Sequence, residues 1–202
     1  MRPTLALCSI GLVSAMLSTT ALGGSDSQDV IIDFDDLLGG LPPVETDGLF
    51  SELATFSTND NNILMIFAGA GFVGGSGPNT LAAGISTTAD NYNGNIYVDF
   101  TYESNNLTLD ILSDNDSGNV AMLNIHHAGG LSFMDVVGNG DFTDPIAMDL
   151  TMFTDVTRIE LVGINDEFGL TMDNLSFSVP VPAPSTLALL GLGGLFASNR
   201  RR

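Results

Sequence analysis

The stretch "LTLDILSDNDSGNVAMLNI", residues 107–125, decides the fold class of this chain. Its first half alternates leucine and isoleucine with polar residues, the period-two pattern of a strand with one buried face. A polar, glycine-containing segment follows, and a second strand-like run then begins at Val120. The stretch therefore predicts a β-hairpin in which Val120, Met122 and Asn124 form one candidate facing row.

The same pattern recurs along the middle of the chain and is separated by turn-rich segments. It predicts strands at residues 30–34, 49–56, 63–68, 81–87, 96–103, 107–112, 120–126, 131–137, 146–152, 156–163 and 170–179. No window of about eleven residues between the two ends of the chain has a helical period. We therefore expect an all-β domain, an antiparallel, jelly-roll-like β-sandwich, over residues 24–180.

The N-terminal segment, residues 1–23, has the pattern of a secretory signal peptide. Arg2 precedes a short apolar run, and Ala21-Leu22-Gly23 resembles a small-residue cleavage site. We expect a signal peptide helix that is removed on export. Since Cys8 lies within it, the remaining chain has no cysteine and no disulfide.

The charge distribution excludes one class of partner. All 24 acidic residues lie between residues 24 and 180, where Arg158 is the one lysine or arginine. A domain with this balance cannot neutralise phosphates, so nucleic acid is excluded, and an anionic membrane surface is equally unfavourable.

The C-terminal segment, residues 181–202, predicts a short transmembrane helix. Residues 185–198 are mostly leucine, glycine and alanine, and as a helix they would span roughly 21 Å of a hydrocarbon core that is about 30 Å thick. The final three residues are Arg200, Arg201 and Arg202, which by the positive-inside rule would stay in the cytoplasm. The domain that precedes the helix would then lie outside the membrane.

This tail resembles the PEP-CTERM sorting signal of exported bacterial proteins. The resemblance rests on Val181, Pro182, Ala183, Pro184 and Ser185, on the apolar run, and on the closing arginines. Ala183 stands where the namesake glutamate of the family usually lies. The resemblance implies recognition by an exosortase, removal of the tail, and delivery to the cell surface or to an exopolysaccharide matrix.

Candidate cation ligands lie near the two ends of the domain. In "VIIDFDDL" the buried row of the first strand is expected to continue into Asp36, with Asp35 beside it. In "LTMDNLSFSV" Asp173 is expected to continue the inward row of the last strand. An aspartate at the end of an inward row needs a partner, and the sequence offers few cationic side chains to supply one.

These two segments resemble the first and last strands of jelly rolls of the carbohydrate-binding-module type. In that family, acidic residues near both ends often hold a structural calcium, which makes Asp35, Asp36 and Asp173 candidate metal ligands. No nucleophile has the sequence context of a catalytic residue, so we expect a non-enzymatic protein. A carbohydrate-binding module, or a glycan hydrolase that uses an aspartate pair, stays an open alternative.

Overall fold

The structure is a computed structural model of the 202-residue chain. It describes residues 27–37, 39, 44–46, 49–59, 61–68, 79–85, 87, 92–113, 117–141, 143–165 and 169–181. The expected signal peptide and the expected C-terminal membrane helix lie outside these residues. Within them, no helix is long and apolar enough to cross a membrane.

The described part of the chain contains strands and no helix, so the all-β prediction is confirmed. The strands are β1 (Ser27–Ile32), β2 (Val44–Thr46), β3 (Leu49–Phe50), β4 (Ala54–Thr58), β5 (Ile63–Ala68), β6 (Asn79–Gly84), β7 (Ile96–Ser113), β8 (Ser117–His127), β9 (Gly130–Asn139), β10 (Ile146–Asp149), β11 (Val156–Val162) and β12 (Leu170–Pro180). Two predicted strands, 96–103 and 107–112, are a single strand, β7. The sequence pattern missed β2 and merged β3 with β4.

β7 connects two sets of antiparallel strands. Its first half pairs with β4 and β11, and its second half pairs with β10 and β12. Asn106, which has a positive φ of 52°, lies where the two halves meet. The order along the main path of the sheet is β2-β5-β6-β12-β7-β11-β8-β9, while β1 and β10 pair with β12 and β7.

Buried side chains from both sets form one hydrophobic core. Two edge-to-face aromatic pairs connect the sets directly. The ring of Phe100 on β7 lies 4.9 Å from that of Phe177 on β12, and Phe34 after β1 lies 5.5 Å from Phe56 on β4. Burying a phenylalanine is worth about 1.5–3 kcal/mol, so these four rings stabilise the contact between the sets substantially.

The predicted hairpin over residues 107–125 is wrong. β7 and β8 follow one another in the chain, but they are not hydrogen-bonded neighbours in the described sheet. β11 lies between them and pairs with both. Period-two alternation determines which side of a strand is buried, but the pairing partner depends on distant segments, here on β11.

The predicted facing row on β8 is also wrong, because β8 contains a β-bulge. Asn119 pairs with Val137 and Ala121 pairs with Val136, which leaves Val120 as an extra residue. Both Val120 and Ala121 are buried, and from Met122 onward the two faces of the strand are exchanged. Met122 therefore lies on the exposed face.

Candidate functional site

The two acidic segments near the ends of the domain lie side by side. β1 and β12 pair antiparallel, with Val30 opposite Phe177 and Ile32 opposite Leu175. All four side chains are buried in the core. The sheet register thus brings the segments that carry Asp35 and Asp173 to the same region of the fold.

Asp35 and Asp36 lie in a turn. Phe34 is the last residue of the buried row; its φ is 59°, and its carbonyl accepts a hydrogen bond from the Leu37 amide at 3.0 Å. Asp36 is exposed, so the prediction that it continues the inward row is wrong. The Asp35 carboxylate accepts a hydrogen bond from the backbone N–H of Asn79 at 3.2 Å. The turn reverses the chain before Asp36 can reach the core.

Asp173 does not lie on the inward row either. Asp173 pairs with Asp110 and Ser176 pairs with Thr108, so β12 contains one extra residue at this point. Asn174 occupies it with a positive φ of 49°. Because the bulge exchanges the faces of the strand, Asp173 and the core residue Leu175 lie on opposite faces of β12. Asp173 is nevertheless completely buried, with 0 % of its surface exposed.

Asn174, the bulge residue, donates hydrogen bonds to two neighbouring carboxylates, those of Asp173 and Asp110. The Asn174 backbone N–H donates to Asp173 Oδ1 at 2.8 Å, and the Asn174 side-chain amide donates to Asp110 Oδ2 at 2.8 Å. Among the described residues, no group of three or more His, Cys, Asp or Glu side chains is arranged to hold a metal ion. The calcium hypothesis for Asp35, Asp36 and Asp173 therefore stays a prediction to be tested in solution.

A second cluster, which the sequence analysis missed, lies on the exposed face of β7, β11 and β8. We call it the polar network, and it consists of Tyr97, Asp99, Asn124, His126, Arg158 and Glu160. The register places Arg158 between Asp99 on one side and His126 on the other. A signal for it was present in the sequence, because Arg158 is the one lysine or arginine between residues 3 and 199.

Arg158 is the centre of the polar network. Its Nη1 donates to both carboxylate oxygens of Asp99, at 3.0 and 3.1 Å, and its Nε donates to Glu160 Oε1 at 2.8 Å. The guanidinium carbon lies 4.8 Å from the centre of the Tyr97 ring, within cation–π distance. Burial opposes the charge of Arg158, but the Asp99 and Glu160 carboxylates together raise its pKa above the usual value.

Glu160 connects Arg158 to β8. Its Oε2 accepts a hydrogen bond from the Asn124 amide at 3.0 Å, and its Oε1 lies 3.2 Å from His126 Nε2. Partial burial is the largest single influence on Glu160 and favours the neutral acid. The hydrogen bonds from Asn124 and Arg158, with the nearby positive charge, outweigh it and hold the pKa of Glu160 below its usual value.

The two histidines lie on opposite faces of β8, as their adjacency in the sequence predicts. His126 belongs to the polar network, whereas the Nε2 atom of His127 lies 2.9 Å from the Ser132 hydroxyl. The His127 ring also packs 4.9 Å from the ring of Phe153. The two rings therefore belong to different environments and do not share a ligand.

An exposed apolar patch borders the polar network. Leu131, Phe133 and Val137 on β9 are 47 %, 59 % and 53 % exposed, and Met122 on β8 is exposed on the same face. We call these four residues the β9 patch. The patch therefore places large apolar side chains beside the planar polar groups of the network. Three of its residues lie on β9, the last strand of the sheet order.

Comparison with known proteins gives one match at the C terminus. Residues 180–202 match the PEP-CTERM protein-sorting motif. No curated protein matches the chain. The residues that the sequence analysis assigned to the tail fall within this match, and of these Val181 is described, as an exposed residue that follows β12.

Among solved structures, the chain is similar to a carbohydrate-binding module, the class that the first and last strands of the domain resemble in sequence. That structure is the family 11 module from Clostridium thermocellum in complex with a β-1,3-1,4-mixed-linked tetrasaccharide. The identity is 9 %, the TM-score is 0.32, and the match covers 66 % of this chain and 95 % of that chain. A likeness at this level carries no argument about the ligand of this chain. The match at the C terminus does bear on function, because it identifies a motif: the chain carries a PEP-CTERM protein-sorting motif at residues 180–202, which implies export and processing by an exosortase.

Proposed function

We propose that this chain is an exported, non-enzymatic surface or extracellular-matrix protein, whose β domain is delivered by its C-terminal sorting tail. The observation that carries the proposal is the PEP-CTERM motif, which begins at the residue where β12 ends, Pro180. Val179 is the last buried core residue of the described chain, and Val181 is exposed. Removal of the tail after residue 181 would therefore leave the folded core intact.

The proposed route has three steps. The signal peptide directs the chain across the inner membrane, the tail then holds it there, and an exosortase-like enzyme releases the domain to the cell surface or matrix. Arg200, Arg201 and Arg202 would retain the end of the tail on the cytoplasmic side through their positive charge. The extreme acidity of the domain suits a surface exposed to salt, because dissolved ions screen its self-repulsion.

Cell fractionation tests this route. Replacing the three closing arginines with glutamine should reduce the membrane-held precursor and its processing, because the charges that fix the topology are lost. The matched control is the Arg158→Gln variant, which removes a positive charge from the domain instead and should fractionate like the parent. An arginine-free tail that is retained and processed normally would contradict the route.

We further propose that the two sets of strands pack as the layers of a jelly-roll-like sandwich. The two aromatic pairs that connect the sets, together with the single core to which both sets contribute, support this arrangement. The polar network would then cover the outside of one layer. The fold of the domain would thus present that network to the surroundings of the cell.

A second candidate function, the binding of a neutral polysaccharide, is favoured by the polar network. Its planar carboxylate, amide and guanidinium groups offer charge-assisted hydrogen bonds to hydroxyl groups. The half-buried Tyr97 ring and, in the neighbouring β9 patch, the exposed Phe133 ring offer apolar surface. An anionic polymer is disfavoured, because the domain carries 24 acidic residues and one basic residue. A neutral polysaccharide has hydroxyl groups for these hydrogen bonds and no negative charge for the acidic domain to repel.

Glycan-array binding of the intact protein tests this second candidate, followed by calorimetry on each glycan that binds. Tyr97→Ala and Asp99→Asn should each weaken the affinity about tenfold or more, the usual effect of removing a central contact. Tyr102→Ala is the matched control, because Tyr102 is another tyrosine of β7, has an exposed side chain and lies outside the polar network. The glycan proposal fails if no glycan binds, or if the control loses as much affinity as Tyr97→Ala.

A further inference from the structure

β9 is a long strand, and one of its edges is unpaired within the described part of the chain. It is the last strand of the sheet order and, among the described strands, it pairs with β8 alone. Apart from the ladder to β8, no backbone hydrogen bond among the described residues reaches residues 131–138. A free edge of this length exposes a row of backbone donors and acceptors that can accept another strand.

The residues of β9 supply few of the usual protections of an edge strand. It contains no proline and no lysine, and its one charged residue is Asp135. The bulge of this hairpin lies in β8, so it does not interrupt the free edge. The exposed row of β9 instead carries Leu131, Phe133 and Val137, which are half exposed to solvent. Such an edge favours strand addition.

We propose that a second copy of this chain occupies this edge, with the two β9 strands paired antiparallel about a two-fold axis at Met134. Two registers pair most of β9 with its copy and keep exposed residues opposite exposed residues. One is centred on Met134 and the other on Asp135. The second places Asp135 opposite its own copy, and like charges directly opposite each other are destabilising. The register centred on Met134 avoids this.

In the proposed register the exposed rows complement each other. Leu131 of one copy lies opposite Val137 of the other, and Asp135 lies opposite Phe133. The β9 patches of the two copies become continuous and the free backbone edge is paired along residues 130–138. This arrangement is isologous, so it closes at a dimer and leaves no further β9 edge.

The charge of β9 favours a second copy over a cationic partner. A cationic protein would find one carboxylate on the exposed row of β9 and many more elsewhere on this acidic domain. A second β9 strand matches the row in alternation, length and near-neutrality. Because both copies are acidic, added salt should strengthen the dimer, whereas it would weaken binding to a cationic partner.

The test is the dissociation constant of the full-length chain, measured by sedimentation equilibrium in one mild detergent, so that the tail is equally present in every variant. Leu131→Glu with Val137→Glu places like charges opposite each other at two positions and should raise the dimer Kd about tenfold or more. Leu131→Lys with Val137→Glu places opposite charges there and should restore the dimer. Far-UV circular dichroism verifies the fold of each variant.

Met152→Glu is the matched control, because Met152 is 75 % exposed and lies outside β9. Its Kd should stay within about twofold of the parent. A parent chain that is monomeric, or a dimer that survives the double glutamate variant, would overturn the proposal. A dimer that the lysine–glutamate pair does not restore would overturn the register. The proposal rests on the sheet edge and needs neither sorting nor glycan binding. Phe133 is common to the dimer and to the glycan candidate, but the glycan test changes Tyr97 and Asp99 whereas the dimer test changes Leu131 and Val137, so each proposal can fail without the other.

Discussion

Arg158 and Asp99 face each other across β11 and β7, with one guanidinium nitrogen 3.0 and 3.1 Å from the two carboxylate oxygens. Arg158 also contacts Glu160 and the Tyr97 ring, so one cation orders side chains from two strands. Exposed ion pairs contribute about 0–1 kcal/mol each, so the main effect of this arrangement is geometric. It holds several planar polar groups in fixed positions on the exposed face.

The first prediction concerns the pH dependence of stability. The pKa of Glu160 is lowered in the folded protein, so its contribution is present above its ordinary value of 4.5 and is lost as the pH falls through the lower folded-state pKa. Glu160→Gln should therefore be less stable than the parent at neutral pH, and the difference should shrink below about pH 4.5. Urea unfolding at a series of pH values measures both.

The control for this series is Glu103→Gln, which changes an exposed glutamate of β7 outside the polar network. It should leave the stability and its pH dependence close to those of the parent. If Glu160→Gln and Glu103→Gln have the same effect at every pH, Glu160 does not stabilise the network in the way described.

The second prediction concerns the bulge in β12. Asn174 has a positive φ, which an alanine adopts at a cost of about 1–2 kcal/mol and a glycine adopts without strain. Both substitutions remove the side-chain hydrogen bond to Asp110. After the unfolded-state entropy of glycine is included, Asn174→Gly should be more stable than Asn174→Ala by about 1 kcal/mol in urea unfolding. Equal stabilities would show that the positive φ at residue 174 does not determine which substitution is tolerated there.

The third prediction concerns calcium. We propose that Asp35 and Asp173 contribute to a calcium site, so millimolar calcium should raise the melting temperature more than sodium chloride of equal ionic strength, because binding to the folded state stabilises by mass action. Asp35→Asn and Asp173→Asn should each abolish this excess and keep the ordinary response to salt. Asp29→Asn, an exposed position on β1, should retain the excess. Identical melting curves in calcium and sodium chloride would exclude the site.

Strand positions could be predicted from the sequence because alternation with period two reports burial within each strand. The pattern placed β5 at residues 63–68, as observed, and found β8, β9, β11 and β12 with ends that differ by a few residues. Alternation fails at bulges, and Val120 and Asn174 each exchange the two faces of a strand. The predicted orientations of Met122 and Asp173 were wrong for this one reason.

The polar network could not be assembled from the sequence, although each of its strands was predicted. Tyr97 and Asp99, Asn124 and His126, and Arg158 and Glu160 are spaced by two, which indicates one face of a strand in each case. Their meeting depends on β11 lying between β7 and β8, and the sequence favoured a direct pairing of β7 with β8 instead. The available signal for the network was Arg158, the single basic residue of an acidic domain, because a lone cation among many carboxylates is expected to pair with them.

Mass spectrometry of the mature protein, purified from the cells that produce it, is the most direct test of export and sorting by the C-terminal tail. We expect a chain that has lost the signal peptide and has been cut within the matched tail, while retaining β12 up to Val179, the last buried residue of the described core. The arginines at 200–202 should be absent from the released form. A released surface protein that still ends at Arg202 would contradict sorting by this motif.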